Sequence, residues 1–200
     1  MSEVFDVQVI SLADIRADQQ GVLIAELADI ICEVFSEPPW NERYSPARIM
    51  FGLGVEMMRK NPLLIIARHK PQCHLIGYLL GQELVAQSAD PRDQTFFKIS
   101  GAYDLDYLAK DNHRTFYVGG LGVRTQYRRL GVAEQMSAKL VTELRKQHFD
   151  YRIGRTDLQA SGMRNLYVKQ GFVELPVLDV NYPDRSYWLL QLNLDLKDYV

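Results

Sequence analysis

Cysteine is scarce in this chain: 200 residues carry two, Cys32 and Cys73. They lie far apart with no ligand-type spacing, which argues against a disulfide framework and a structural metal site, so no metal is expected and a reducing, cytoplasmic setting fits. An excess of positive charge is missing too. Lys and Arg number 23 against 25 Asp and Glu, a formal net charge of -2, whereas nucleic-acid binding calls for a basic face. No stretch approaches the roughly 18 uninterrupted apolar residues of a membrane span. The N-terminal MSEVFDVQVISL is acidic and unlike a leader. Neither nucleic acid nor membrane is therefore expected as a partner. Repeats and low-complexity tracts are also lacking. What remains is an ordinary composition, 47% hydrophobic and 24% charged, suited to one globular domain over residues 1–200 with a sizeable core.

Val4 to Ile10 alternates and predicts a first strand, and apolar residues at helical spacing from about Asp18 to Phe35 predict a helix. SEPPWNERYSP breaks that helix. Ser45 and Pro46 read as the cap and first-turn proline of a second one, Ala47 to Lys60, ended by Asn61 and Pro62. LLIIARH and HLIGYLLGQELVA flank the turn-like KPQC and predict two antiparallel strands. From about 87 to 114 only TFFKIS reads as a short strand. The rest of that segment offers no continuous apolar face and reads as an insertion or lid. RTFYVGGLGV is strand-like, its glycines marking a bulge or a close backbone approach. A long helix then runs from Gly131 to about His148, with Val132, Met136, Leu140 and Leu144 as its core stripe. YRIGRTDL predicts a strand, SGMRNLYVKQ a short helix closed by Gly171, and FVELPVLDV and YWLLQLNLDL the last strands. The final strand is apolar enough to pair or pack across a homodimer. This order gives an α/β (α+β) fold: a single mixed sheet with helices on its faces and one parallel crossover through the Gly131 helix.

Chemistry concentrates in VRTQYRRLGVAEQMSAKL, Val123 to Leu140. The first amides of a helix have no intrahelical acceptors and carry partial positive charge, so an acidic neighbour is the ordinary choice there. Here Arg128, Arg129 and Gly131 occupy the helix start instead. That combination suits an anion arriving from outside, with Gly131 and Ala133 keeping one face small and the arginines adding charge from the flank.

The pattern Arg128-x-x-Gly131-x-Ala133, preceded by YVGGLGV and followed by NLYVKQGFVEL, resembles the acetyl-CoA signature of the GNAT superfamily of N-acetyltransferases. The resemblance covers Thr115 to Leu175. It implies a mostly antiparallel sheet with helices on both faces and a splayed parallel strand pair that binds acetyl-CoA. It also implies transfer of an acetyl group to a primary amine, of a small molecule or a protein, by direct attack in a ternary complex. The strand groups that would pair with the pantetheine arm fall on Leu121, Gly122 and Val123. The amides of Arg129, Leu130, Gly131, Val132 and Ala133 would receive the pyrophosphate, with Arg128 at the family's Gln/Arg position. The family's general acid is a tyrosine in the last short helix, matched here by Tyr167. Ser161 stands where many members carry asparagine at the start of that helix, and Asn165 is a nearby candidate for cofactor binding.

A phenol suits the task. The departing thiolate has a conjugate acid of pKa about 8.5 and a phenol lies near 10, whereas a carboxylic acid would already be ionised at neutral pH. The acceptor amine, with a pKa of about 10.4, must lose a proton first, at a cost of roughly 4 to 5 kcal/mol at pH 7. Many family members place a carboxylate for this on the strand before the signature, but FYVGGLG has none. Glu83, Asp157 and Glu37 are the candidate bases. Trp40, beside Glu37 and Glu42 in FSEPPWNE, suits a cationic acceptor through its ring face. The rival reading is an acetyl-CoA-binding sensor without turnover. The identity of the amine is not legible in the sequence.

Overall fold

The computed structural model describes residues 4–18, 21–84, 99–100, 113–179 and 182–192. Among these residues the strands are β1 (Phe5–Ile10), β2 (Leu63–His69), β3 (Leu75–Glu83), β4 (Ile99–Ser100), β5 (Thr115–Val123), β6 (Tyr151–Asp157), β7 (Val173–Asp179) and β8 (Arg185–Gln191). The helices are α1 (Leu12–Ala17), α2 (Val22–Ser36), α3 (Pro46–Glu56), α4 (Val132–Lys146) and α5 (Ser161–Lys169), with a short 3₁₀ turn at Thr125–Tyr127. The strand order is β1-β2-β3-β5-β6-β8-β7-β4. The β5–β6 ladder is parallel and is crossed over by α4, while β1–β2, β2–β3, β6–β8, β7–β8 and β4–β7 are antiparallel. The mixed, mostly antiparallel sheet expected from the sequence is thus present. The chain divides into two compact units, Met1–Gln82 with Gly119–Val141, and Glu83–Val118 with Thr142–Val200.

In the first unit, α2 buries Leu23, Leu27, Ile30 and Val34 against Leu64 and Ile66 of β2 and Leu75, Tyr78 and Leu80 of β3. Each fully buried side chain of this kind contributes roughly 1.5–3 kcal/mol. The Asp18 carboxylate caps α2 by accepting from the amides of Val22 and Leu23. The helix expected from about Asp18 to Phe35 is present as α2, starting four residues later at Val22, and a short helix not expected from the sequence, α1, precedes it. Gly21, at φ 65°, turns the chain, and α1 stands before it behind a Ser11/Asp14 capping box. Helix α3 starts where expected, with Ser45 Oγ accepting from the Arg48 amide, but ends at Glu56, not at Lys60. A Cβ at Gly77 would meet Met136 at 3.0 Å and Val132 at 3.1 Å, so α4 rests directly on β3.

In the second unit, β6 buries Ile153 on one face with Tyr117, Leu175, Val177 and Tyr187. A separate cluster joins Tyr167, Phe172 and Trp188. Alternation along β8 sends Tyr187 and Trp188 to opposite faces, which keeps the clusters apart. Pro176 lies within the register shift of β7 between Glu174 and Leu178, a tolerated place for a residue without an amide proton. Strand β8 lies between β6 and β7, so both of its backbone edges are used within the chain. Of the strand expected in TFFKIS, the described residues Ile99 and Ser100 pair with β7. Most of the expected insertion or lid, 87–98 and 101–112, lies outside the described residues. Among the described residues no helix is long and apolar enough to cross a membrane.

Candidate active site

The signature turn belongs to the first unit and is tied down at every step. Where β5 ends, the Arg124 amide donates to Ile76 O at 2.9 Å, its Nε donates to Leu75 O at 3.0 Å, and its guanidinium binds Asp29 at 2.7 Å and Glu33. Arg128 folds back: Nε donates to Val123 O at 3.0 Å and the guanidinium lies 2.6 Å from Glu37. Thr125 Oγ1 donates to the same Glu37 carboxylate at 2.5 Å. The Thr125 bond foremost, then Arg128, hold the Glu37 carboxyl below its ordinary range against the opposing effect of desolvation.

Beyond Arg128 the backbone passes through the left-handed region twice, at Arg129 (φ 62°) and Gly131 (φ 83°). Alternation of this kind turns successive amides toward one point. Among the described residues, the amides from Arg129 to Ala133 donate to no acceptor. A Cβ at Gly131 would meet nothing within 4 Å, so φ is what favours glycine there, and the space in front of the amides is open. Arg129 is exposed. An open nest of amide donors at the start of a helix, with an arginine at its rim, fits a diphosphate.

Two glycines of β5 have a packing cause. A Cβ at Gly120 would lie 3.0 Å, and one at Gly122 2.7 Å, from the Tyr78 ring system, which is itself buried. Gly122 and Val123 are buried and Leu121 is half-buried. Gly120 and Gly122 are therefore accounted for by a tyrosine on β3, without a bulge.

Tyr167 lies in the second unit. The β5–β6 ladder runs from Thr115↔Tyr151 to Val118↔Gly154 and stops there. A Cβ at Gly154 would lie 2.1 Å from Tyr167 Oη, so the hydroxyl rests on the last β6 residue of the β5–β6 ladder. The Tyr167 ring is 2% exposed, flanked by Phe172 at 4.6 Å and Trp188 at 5.4 Å between centroids. Helix α5 delivers this arrangement through its end: Gly171 takes φ 80°, its amide donates to Val168 O, and the Phe172 amide donates to Tyr167 O at 3.0 Å. Arg164 stacks over Trp188 at 5.0 Å and is gripped by both Glu174 oxygens at 2.8 Å. Burial pushes the Tyr167 phenol well above its ordinary pKa, Arg152 and Arg155 pull it back, and Tyr117 adds to the rise.

The remaining candidates are scattered over separate settings. Glu83 is buried and paired with Arg114 at 2.7 Å. Asp157, at the end of β6, is buried and accepts from the Gln159 amide at 2.8 Å; no ion pair joins it to a cation among the described residues. Trp40 is half-buried with its ring 5.5 Å from that of Phe35. Asn165 is exposed on α5, and Ser161 is its first residue. Sequence reasoning missed Arg152 and Gly154. Their signal is a charge and a glycine at alternate positions of an otherwise good strand, YRIGRTD. No group of three or more His, Cys, Asp or Glu among the described residues is placed to hold a metal ion.

Comparison with known proteins adds three findings. The sequence matches the model of the Acetyltransferase (GNAT) family over residues 24–172. Among curated proteins, none matches the sequence. Among solved structures, the chain is similar to one from the NatC complex bound to Gag peptide and CoA, at 20% identity and TM-score 0.63, covering 96% of this chain and 100% of that one. It is likewise similar to the ribosomal-protein-S18-alanine N-acetyltransferase of Escherichia coli, at 11% identity and TM-score 0.60 over 98% and 99%. A putative acetyltransferase of Salmonella typhimurium, yncA, with acetyl-CoA, gives 10% identity and TM-score 0.63 over 96% of each chain.

Proposed function

The chain belongs to the Acetyltransferase (GNAT) family and is an acyltransferase, and from that premise we propose that it carries an acetyl group from acetyl-CoA to the nitrogen of a primary amine. The amides of Arg129, Leu130, Gly131, Val132 and Ala133 take the diphosphate, with Arg129 at the rim. Leu121, Gly122 and Val123 offer backbone groups to the pantetheine arm. Arg128 acts one step back, holding the turn through Val123 O and Glu37. The co-substrate supplies a reactive thioester. The chain's own part in the chemistry is to remove a proton from the acceptor and return one to the leaving sulfur.

Tyr167 gives that second proton. The observation that carries this assignment is its hydroxyl set on Gly154, where the β5–β6 ladder ends; the backbone groups of a strand pair become available to a ligand only beyond such a point. For the first proton, Asp157 is the best of the three carboxylates, because Glu83 and Glu37 are each engaged in an ion pair with an arginine. Glu37 serves the turn instead. Asn165 and Trp40 are left at the margins of the cofactor and acceptor respectively.

The acceptor class follows from no single side chain. Both a small amine and a protein amine suit the reading, and two of the similar structures are named for protein acetylation or a bound peptide. The experiment is acetyl-CoA binding by calorimetry, followed by thiol release with polyamines, amino sugars, amino acids and N-terminal peptides, with mass-spectrometric detection of product. Amine-dependent thiol release with stoichiometric acetylated product supports the enzyme reading. Tight binding with no release from any amine would favour the sensor.

A further inference from the structure

We propose that Arg152 is a positioning residue for this reaction, a buried guanidinium that offsets the negative charge left on Tyr167 Oη once its proton has gone to the departing sulfur. The proposal rests on the reading of Tyr167 as the proton donor. Arg152 lies mid-strand in β6, in register with Phe116 on one side and Leu190 on the other, and is 1% exposed. A buried guanidinium is costly unless something offsets its charge. Burial alone does not say which groups it acts on.

Its placement does. Arg152 and Gly154 alternate onto the same face of β6, and Gly154 is the residue on which the Tyr167 hydroxyl rests. Phe172 bridges the two side chains: Arg152 Cζ lies 5.1 Å from its centroid and the Tyr167 ring 4.6 Å away. A phenol buried between aromatic rings is a weaker acid than one in water, because its anion has lost solvation. The charged and titratable groups acting on it are Arg152 and Arg155 of β6, which favour the anion, and Tyr117 of β5, which opposes it. Arg164 of α5, behind Trp188, is already neutralised by Glu174. Arg152 is the largest of the favourable influences.

The step balances simply. As the acceptor nitrogen bonds the acetyl carbon and the C–S bond breaks, the Tyr167 O–H bond breaks and the S–H bond of the leaving thiol forms; the negative charge passes from sulfur to Oη, where Arg152 offsets it, and the proton that Asp157 takes from the acceptor nitrogen returns to Oη through solvent. Nothing is oxidised or reduced.

The test is a double-mutant cycle on single-turnover acetyl transfer at saturating acetyl-CoA, measured across pH 6 to 9. It uses Arg152→Met and Arg152→Lys, each alone and with Tyr167→Phe, with folding checked by thermal melts. Arg152→Met should slow transfer by about tenfold or more, shift the pH profile, and leave acetyl-CoA affinity within about twofold, while Arg152→Lys retains most of the rate. In the Tyr167→Phe background the same Met change should alter the rate by less than about twofold. An equal loss in both backgrounds would overturn the proposal while leaving Tyr167 as donor. Wild-type turnover by Tyr167→Phe alone would instead remove the reading on which the proposal stands. Should Arg152→Met fail to fold, Arg152→Gln is judged by the same criteria.

Discussion

The signature turn and the tyrosine pocket solve opposite problems. On the proposed function, the working groups of the turn are backbone amides in an open setting, and side chains such as Arg124, Arg128 and Glu37 hold the backbone in place. On the same proposal, the working group of the pocket is one side-chain hydroxyl sealed between rings, and the backbone's contribution is a missing Cβ at Gly154. A preformed amide nest binds an anion with little reorganisation and is insensitive to the chemistry that follows. A buried phenol contributes little to affinity, yet it controls a proton. Binding and turnover should therefore separate under mutation.

The largest expected effect is on turnover in the pocket. Tyr167→Phe keeps the ring and its stacking but removes the proton, so the rate should fall roughly 10²- to 10⁴-fold with acetyl-CoA affinity little changed, as read from single-turnover rates and calorimetry. Gly154→Ala should come next. Its Cβ would lie 2.1 Å from Tyr167 Oη, so ring or strand must shift; the expected loss is on the order of 10²-fold in rate, with about 1–3 kcal/mol of stability seen in denaturant melts. In the turn, Gly131→Ala meets no clash but must hold φ near 83°, costing roughly 1–2 kcal/mol. That should appear as a several-fold weaker acetyl-CoA affinity at an unchanged saturated rate.

The smallest effect concerns Glu37. Its folded-state pKa is depressed, chiefly by Thr125, so the stability it contributes is present above the unfolded carboxylate value. It is lost as the pH falls through the folded one. The carboxylate is partly exposed, so the contribution is modest. Wild type and Glu37→Gln should differ by a few degrees in melting temperature at pH 6 and converge once the pH has fallen through the depressed folded-state value, with the variant's Kd for acetyl-CoA raised a few-fold at most. A large loss of saturated rate in Glu37→Gln would instead place it among the catalytic groups.

The turn was legible in the sequence and the pocket only in part, for physical reasons. Val132, Met136, Leu140 and Leu144 repeat at helical spacing because α4 buries one face, and Gly131 stands where the backbone needs a positive φ. Both leave marks in local order. Arg152 and Gly154 matter through a side chain that arrives from α5, beyond β6 in the chain, and no local pattern announces such a partner. The same holds for Gly120 and Gly122, which answer to Tyr78 on another strand. Helix α1 was overlooked although SLAD carries its capping box, because the longer apolar period of α2 dominated the reading.

The separation of binding from chemistry is tested most directly by measuring two variants side by side, Gly131→Glu and Tyr167→Phe, for acetyl-CoA dissociation constant and for single-turnover rate at saturating donor. Gly131→Glu places a carboxylate in the open nest and should weaken binding severely, while retaining most of the rate once donor is saturating. Tyr167→Phe should bind as wild type does and transfer slowly. If the folded variants each lose affinity and rate together, or if Tyr167→Phe keeps more than about a third of the wild-type rate with its best amine, the division of labour drawn here is wrong.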